Sequence, residues 1–493
     1  MKILVVQLAR LGDIYQTWPA LGALKRIHPD AEIHLLTRSK FAAAAPGPAL
    51  LTKHWLLDTR DVLAPLIDEK PAIDTSMEKL DTFCAELRDV GFDRVINLSF
   101  SAFSSYLVGQ VTRETTMVQG YTRFEDGYLN IPDDGSAYFY AQVGVGRANR
   151  LHVTDLFAHV AGVELTEADW SFTQKQAVDS CDQTVLLHVG ASTLDKTLSW
   201  SKWLQVVRGL LTSSWRGTVV LVGSSEEAEL AQNIAAISGE RKPVNLVGQT
   251  TLAELFEMVG ESALVIGGDS APVQMASLTA TPVLNVSLPM VCFWETGPRA
   301  KGSRILPVES EQAVSTDEIV GEALAMLAGH SSKMPIVRVP GPTFPYVETR
   351  PQPRSFEWEL LRAMYLGEAV PPPASELFLL GMRRLADVNL LAIEQIDALK
   401  RNPHNKTASA ILDRTDEIMS QIAQMVPETD VMIRWFRTER LRIGPMSMEQ
   451  LTAATENAHR RFADVISLYV DLQGEAEVAE KTKGDASDDV VLG

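Results

Sequence analysis

The sequence predicts an α/β fold of two doubly wound domains in tandem, followed by an all-α extension. Three observations carry this expectation. Over roughly the first 330 residues, short runs of Val, Ile and Leu alternate with helical segments, the pattern of a mostly parallel sheet with helices on both faces. The alternation lapses near residue 175 and begins again near Gln183. From Leu377 onward the apolar residues recur at helical spacing instead. A chain of 493 residues is in any case too long for one core.

The first domain is expected over residues 1–178. Ile3 to Gln7 reads as a strand, Ile14 to Ile27 as a helix, and Glu32 to Thr37 as the next strand, after the turn His28-Pro29-Asp30. Phe41 to Lys79 is rich in Pro and Asp and reads as loops and short helices. Arg94 to Leu98 is a strand with a helix from Ser101, and Gly120 to Gly135 is a turn-rich surface excursion. The second domain is expected over residues 179–332. Its strands are Thr184–His188, Thr218–Gly223, Asn245–Gly248, Ala263–Gly267 and Pro282–Val286, and its helices begin near Lys202, Glu226 and Leu252. Ser315 with Glu318 forms a capping-box signal before the last helix, Ile319 to Leu327. Residues 333–354, with prolines at 335, 340, 342, 345, 351 and 353, read as an extended connector. Residues 355–473 read as a helical extension in which Trp435 and Phe436 are core, and the acidic stretch 474–493 as a disordered tail.

Composition excludes several functions. A formal net charge of −18 disfavours nucleic acid, whose phosphates need Lys and Arg stripes. Three cysteines, Cys84, Cys181 and Cys292, are far apart and form no C-x-x-C, so neither a disulfide framework nor a structural zinc site is expected, and a cytoplasmic setting fits. The apolar run at the N-terminus is short, is broken by Gln7 and is followed by Arg10 and Asp13, which reads as a first strand rather than a signal peptide. No run reaches the ~20 apolar residues that span a bilayer. No cofactor and no metal ligand cluster is expected.

The stretch Ala263-Leu-Val-Ile-Gly267-Gly268-Asp269-Ser270-Ala271-Pro272-Val-Gln274 organises the chemistry. It reads as a buried strand, a Gly-Gly turn and a helix capped by Asp269 or Ser270, with Pro272 in the first turn. Free amides at such a helix start, at the carboxyl end of a sheet, suit an anion such as a nucleotide phosphate; the plainer alternative is a capped helix after a buried strand. Three further strand ends carry candidates. Asp13, in Leu11-Gly12-Asp13, is placed either to act as general base or to cap the helix that follows. The loop His188-Val-Gly190-Ala-Ser192-Thr193-Leu-Asp195-Lys196 offers backbone, hydroxyl and ammonium donors to a diphosphate, or is a polar surface loop. Glu226 and Glu227 are placed either to accept from ribose hydroxyls or to sit in a helix's first turn. Gly144-Val-Gly146-Arg147 has part of a dinucleotide fingerprint but lacks the strand and helix around it.

These stretches occur in the order found in the ADP-heptose:lipopolysaccharide heptosyltransferases, glycosyltransferase family 9, which the chain resembles. The resemblance rests on Lys2-Ile-Leu-Val-Val with Leu11-Gly12-Asp13, Pro19-Ala20-Leu21, Pro29-Asp30-Ala31-Glu32-Ile33, Leu187-His188-Val-Gly190-Ala191-Ser192 with Lys196, Gly223 with Glu226 and Glu227, Asn245-Leu246-Val-Gly248, the organising stretch, Thr281-Pro282-Val283 and Thr296-Gly297-Pro298. It covers about the first 330 residues and departs from the family where Ala271 replaces Gly, Gln274 replaces His, and Ser287–Cys292 stands in place of Gly-Pro-Thr-Asp-Pro. Ala9 and Arg10 likewise replace small hydroxyl residues before Asp13.

The resemblance implies a GT-B-like pair of Rossmann-type domains, acceptor side first and donor side second, and a metal-independent, inverting transfer of heptose or a related sugar from a nucleotide-sugar to a cell-envelope glycan. On it Asp13 is the base and Lys196 meets the donor diphosphate. Gly190, Ser192, Thr193, Glu226, Glu227, Asp269, Ser270 and Gln274 line the donor, and Arg10 and Gly12 the acceptor side. A protein acceptor such as flagellin, a nucleotide-sugar-binding scaffold without turnover, and an epimerase are the competing readings. A peripheral membrane contact at the inner face of the cytoplasmic membrane, and a protein partner for the helical extension, complete the expectations.

Overall fold

The computed structural model describes residues 1–145, 148–172, 183–191, 193–237, 240–349 and 355–470. Ser192, the Gly146-Arg147 pair, the boundary near 178 and the acidic tail from 474 lie outside them. The chain divides into two compact units. One comprises residues 1–122 and 150–352; the other comprises 123–149 and 353–493.

The first unit holds two sheets. The first sheet is built from β1 (Lys2–Val6), β2 (Glu32–Arg38), β3 (Lys53–Leu57), β4 (Arg94–Asn97) and β5 (Met117–Gln119), in the order β3-β2-β1-β4-β5. All four pairings are parallel. A short hairpin, β6 (Thr122–Arg123) with β7 (Leu129–Asn130), stands where the turn-rich excursion was expected. The second sheet contains β8 (Thr184–His188), β9 (Thr218–Val222), β10 (Val244–Asn245), β11 (Leu264–Gly267), β12 (Val283–Ser287), β13 (Arg304–Pro307), β14 (Val337–Arg338) and β15 (Val347–Glu348). It runs β10-β9-β8-β11-β12-β13-β14-β15. Pairings are parallel up to β13 and antiparallel for the last two strands. The central strands are apolar throughout because both faces are covered. In each sheet the strand order reverses beside the first strand, between β1 and β4 and between β8 and β11. Doubly wound sheets bind ligands at that reversal, outside the carboxyl ends of the strands.

Between and around the strands lie α1 (Leu11–Ile27), α2 (Thr59–Ile67), α3 (Ile73–Val90), α4 (Ala102–Val111), α5 (Asp134–Gln142), α6 (Val153–Val160), α7 (Trp200–Thr212), α8 (Ala228–Ile237), α9 (Leu252–Glu261), α10 (Ala271–Leu278), α11 (Phe293–Thr296) and α12 (Thr316–Leu327). All except α5 belong to the first unit. Ser315 and Glu318 cap α12 reciprocally, as the sequence implied. The region Phe41–Lys79, read as loops and short helices, contains the strand β3 and the start of the 18-residue α3. The proline-rich connector also differs from expectation. Its prolines flank Ile336–Val339 rather than interrupt it, so the run pairs as β14 between β13 and the edge strand β15.

One apolar cluster sets the site. Ile14, Tyr15 and Trp18 of α1 pack against Leu255 and Val259 of α9 and Val273 and Met275 of α10. Tyr15 stacks on Phe256 with ring centres 5.9 Å apart, and Trp18 meets Phe256 at 5.2 Å and Phe172 at 5.1 Å. Such pairs add about 0.5–1.5 kcal/mol each beyond area burial. The helix that starts beside Asp13 is thereby fixed to the helix that starts beside Ser270.

The second unit contains α5 and the helices α13 (Phe356–Leu366), α14 (Glu376–Arg401), α15 (Lys406–Met425), α16 (Asp430–Leu441) and α17 (Met448–Ser467). Its core gathers Leu360, Phe378, Met382, Leu385, Met419, Met432, Ile433, Phe436, Phe462 and Ile466. Phe436 stacks on Phe462 at 4.3 Å, and Trp435 packs partly buried against the same cluster. Residues 123–149, which the sequence groups with the first α/β domain, belong here. Gln142 Nε2 donates to the Val431 carbonyl at 3.2 Å, and Tyr138 meets Tyr365 edge-on at 4.8 Å. Among the described residues no helix is long and apolar enough to cross a membrane.

Candidate active site

The strand-end loops singled out in the sequence converge in the first unit. The loop after β8 and the turn after β11 meet through Lys196 Nζ and Asp269 Oδ2, 2.8 Å apart and each about one-fifth exposed. Gly267 and Gly268 keep ordinary backbone angles, so their role is space. A Cβ on Gly268 would lie 2.5 Å from the Lys196 carbonyl oxygen, and one on Gly267 would lie 3.4 Å from His188 Cβ. Asn285 of β12 donates Nδ2 to the Gly268 carbonyl at 3.0 Å and holds the turn from below.

Three buried polar atoms around Gly267 have no hydrogen-bond partner among the described residues: His188 Nδ1, Ser270 Oγ and Asn285 Oδ1. Ser270 stands at the N-cap position of α10 as the sequence implied, yet its hydroxyl makes no cap bond. Buried polar groups are nearly always satisfied, so a cluster of orphans beside an ammonium and a helix start is a place for a polar, anionic guest. Burial pulls the His188 imidazole down to about 4, against the opposing charge of Glu227, so His188 is neutral and not a cation for that guest.

The other donor-side candidates are placed as follows. Gly190 is buried, and a Cβ there would strike Glu227 Cδ at 2.6 Å. Glu227 Oε2 accepts from the Ser224 amide and hydroxyl, both at 2.6 Å, which is the capping role. Glu226 is exposed in the same turn, and Thr193 is exposed and accepts through its carbonyl from Lys196 N at 3.2 Å. Gln274 is buried and gives Nε2 to the Thr296 carbonyl at 2.6 Å. Two more side chains take the next two carbonyls. His152 Nδ1 accepts from Thr154 N at 3.2 Å, which puts its proton on Nε2, 3.0 Å from the Gly297 oxygen. Tyr346 Oη donates to the Pro298 oxygen at 3.1 Å. Three successive carbonyls are thus held by side chains from three separate segments of the chain.

On the first sheet, Asp13 lies in the first turn of α1, and its Oδ2 accepts from the Arg10 amide at 2.8 Å. A Cβ on Gly12 would touch Gln274 Cγ at 3.7 Å, so this turn lies against α10. Burial raises the Asp13 carboxyl; the Arg10 amide and charge oppose this, Asp269 reinforces it, and Lys196 opposes it. Arg10 itself is exposed. The neighbouring loop after β4 is tied to it: Ser99 Oγ accepts from Leu8 N at 2.7 Å, and Gln7 Nε2 donates to the Leu98 carbonyl at 3.2 Å. Phe100 there carries a positive φ of 46°, a conformation costly for a bulky residue and common at ligand-facing turns.

Sequence reasoning missed Asn285, His152, Tyr346 and Arg38, whose guanidinium donates to the Ala9 carbonyl. None belongs to a local pattern; each acts on a segment distant in the chain. Among the described residues no three His, Cys, Asp or Glu side chains gather as metal ligands would.

The family model for glycosyltransferase family 9 (heptosyltransferase) matches residues 82–287, a span that includes the loops of the second sheet but not Asp13. Lipopolysaccharide heptosyltransferase 3 of Escherichia coli K12 is 22% identical over 285 residues, 56% of this chain and 79% of that protein. Lipopolysaccharide heptosyltransferase 1 of Campylobacter coli is 23% identical over 300 residues, 58% of this chain and 83% of its own length. Among solved structures, the glycosyl transferase family 9 protein of Veillonella parvula DSM 2008 superposes with a TM-score of 0.51 at 18% identity, covering 66% of this chain and 97% of that one. E. coli heptosyltransferase WaaC with ADP gives 0.50 at 16% identity, covering 66% of this chain and 100% of that one. At these identities the two structures speak for the GT-B-like fold alone. The family model, the ordered strand-end motifs and the two parallel sheets agree, and the α/β core of this chain is similar to glycosyltransferase family 9, the heptosyltransferases.

Proposed function

We propose that the chain is an inverting, metal-independent glycosyltransferase that moves heptose or a related sugar, from ADP-heptose first of all, to a cell-envelope glycan such as the lipopolysaccharide core. The observation that carries this reading is the cluster of orphaned buried polar atoms at Gly267, next to the Lys196–Asp269 pair and the start of α10. A donor diphosphate there satisfies Ser270 Oγ and takes the free amides of α10. Lys196 and those amides offset the charge that grows on the departing nucleoside diphosphate. Asp13, across the α1–α10 contact, accepts the proton of the acceptor hydroxyl as its oxygen attacks the anomeric carbon from the face opposite the leaving group. The first half is then the acceptor side and the second half the donor side. The donor assignment draws on the lipopolysaccharide heptosyltransferases and the ADP-bound WaaC to which the chain is similar. Transfer takes place in the cytoplasm at the inner face of the membrane, and residues 355–473 hold a protein partner.

Two measurements test this. Calorimetric titration with ADP-, GDP-, UDP- and dTDP-sugars should find one binder, and absence of binding to all four removes the proposal. Lys196→Met should weaken that binding roughly 10- to 150-fold, since hydrogen bonds to a charged group contribute about 1.5–3 kcal/mol; unchanged affinity removes Lys196 from the site. A second reading, a nucleotide-sugar-binding scaffold, is favoured by Gln274, whose amide is committed to the Thr296 carbonyl and not to a ligand. It shares the binding and lacks turnover, so a transfer assay separates the two.

A further inference from the structure

Asn285 of β12 stands beside Gly267 of β11 in the parallel register and is 2% exposed. Its side chain reaches two successive carbonyls of the turn that leads to α10. Nδ2 donates to the Gly268 oxygen at 3.0 Å and, at a longer 3.4 Å, to the Gly267 oxygen. Carbonyl oxygens only accept, so the end of the carboxamide that faces them is the nitrogen and not Oδ1. These bonds fix more than the carbonyls. In a planar trans peptide the C=O and N–H of one unit point in opposite directions. Drawing the Gly268 oxygen onto Asn285 therefore turns the Asp269 amide away from Asn285, and the bond to the Gly267 oxygen turns the Gly268 amide likewise. Neither amide has a hydrogen-bond partner among the described residues. Two further groups accompany them: Lys196 Nζ, 2.8 Å from Asp269 Oδ2, and the buried, unpartnered Ser270 hydroxyl.

We infer that Asn285 is a positioning residue for the donor: by holding the two carbonyls it presents the Gly268 and Asp269 amides, as a pair, to a phosphate oxygen of the nucleoside diphosphate. This rests on the reading of the turn as the donor diphosphate site. Successive backbone amides in a turn make an anion-binding concavity. The pair lies ahead of the first turn of α10 and adds to the amides there. A carboxamide suits the task because it is neutral and brings a donor to the carbonyls; an aspartate of the same shape would set a second acceptor against them. Gln274, whose own amide is committed to the Thr296 carbonyl at 2.6 Å, has no such donor to spare for the anion. Asn285 acts through the backbone instead. Dipoles already aimed at the diphosphate need no reorganisation as its charge grows on leaving, so the same pair serves both binding and transfer.

The test uses the full-length protein labelled with ¹³C at glycine carbonyls and ¹⁵N at aspartate. Only the Gly12–Asp13, Gly268–Asp269 and Gly484–Asp485 peptides then carry both labels, and Asp13→Asn and Gly484→Ala identify the other two. Pyrophosphate and ADP should each move the Asp269 amide proton downfield, as a bond to an anion does. Asn285→Leu keeps the side-chain volume and removes the donor. In it that shift should shrink by about half or more, and affinity for both probes should fall about 10-fold or more, with adenosine affinity within about twofold of wild type. Asn285→Ala repeats the measurements if the Leu variant does not fold. A folded variant that binds pyrophosphate as wild type does, with the Asp269 shift intact, overturns the inference. So does wild-type protein that binds ADP without moving that amide, and so does a variant in which adenosine and pyrophosphate weaken alike, the mark of a residue that merely packs. Wild-type protein that binds neither ADP nor pyrophosphate overturns the donor-site reading and the inference together. Wild-type protein that engages ADP through this amide yet transfers no sugar overturns the transferase reading and upholds the inference.

Discussion

Gly268→Ala isolates the contact between the turn after β11 and the loop that carries Lys196. The added methyl would lie 2.5 Å from the Lys196 carbonyl oxygen, roughly 1 Å inside an unstrained contact. Neither neighbour gives way easily. The obstructing atom is backbone, and Gly268 is held from the other side by Asn285 Nδ2 on its own carbonyl at 3.0 Å. Gly268 does not use the left-handed backbone region, so the cost is steric and not conformational. Overpacking of this kind costs about 1–3 kcal/mol. The loop carrying Lys196 must move, which pulls its ammonium from Asp269. The expected loss in ADP affinity is the same energy, roughly 5- to 150-fold. Calorimetry with ADP and urea denaturation of the same sample measure both. Gly12→Ala is the control, since its methyl would meet Gln274 Cγ at an ordinary 3.7 Å. If Gly268→Ala binds ADP and resists urea as the wild type does, the Gly268–Lys196 contact does not set the loop, and the account of the turn is wrong.

Asp13→Asn should abolish transfer, leave ADP affinity within about twofold, and keep or raise stability at pH 7. A carboxyl whose pKa is raised by folding stabilises the protein while protonated, and that contribution fades as pH climbs through the raised value; an unfolding midpoint that drops by more than about 1 kcal/mol would contradict this. Tyr346→Phe deletes only the hydroxyl bonded to the Pro298 carbonyl and should cost about 1 kcal/mol in urea denaturation, whereas no change would mean the bond is not maintained in solution. In the helical unit, burial holds His459 at about 4 against 6.5, so the unfolded chain takes up a proton first as the pH falls. That unit should lose about 3 kcal/mol between pH 6.5 and 4, and His459→Gln should flatten the profile; an equally steep profile in the variant refutes the assignment.

Much of the fold was legible because parallel strands covered on both faces must be apolar at every position, as Val185, Leu186 and Leu187 are. β3 was not, because only Trp55 and Leu57 face inward while Lys53 and Leu56 are exposed. α3 buries just Ser76, Cys84 and Leu87, too little for its period to stand out among charged residues. Asp13, Lys196 and Asp269 were legible because each follows a strand. For Glu227, the capping alternative describes the contact its carboxylate makes. Ser270 was legible as a cap position, but an unused hydroxyl has no signature in sequence. Arg38 and Tyr346 act on Ala9 and Pro298, and such distant pairings need the folded chain to bring them together.

The helical unit takes α5 from one part of the chain and α13 to α17 from another, and this has a consequence during synthesis. About two hundred residues separate Gln142 from Phe356. At a translation rate of roughly 5–20 residues per second, the face of α5 that carries Tyr138, Ala141 and Gln142 leaves the ribosome some ten to forty seconds before its first partner helix exists. The α/β unit can close around its own sheets in that interval, while α5 waits with an uncovered apolar face. Truncation before residue 355 would make the wait permanent, leaving Tyr138 without Tyr365 and Gln142 without the Val431 carbonyl.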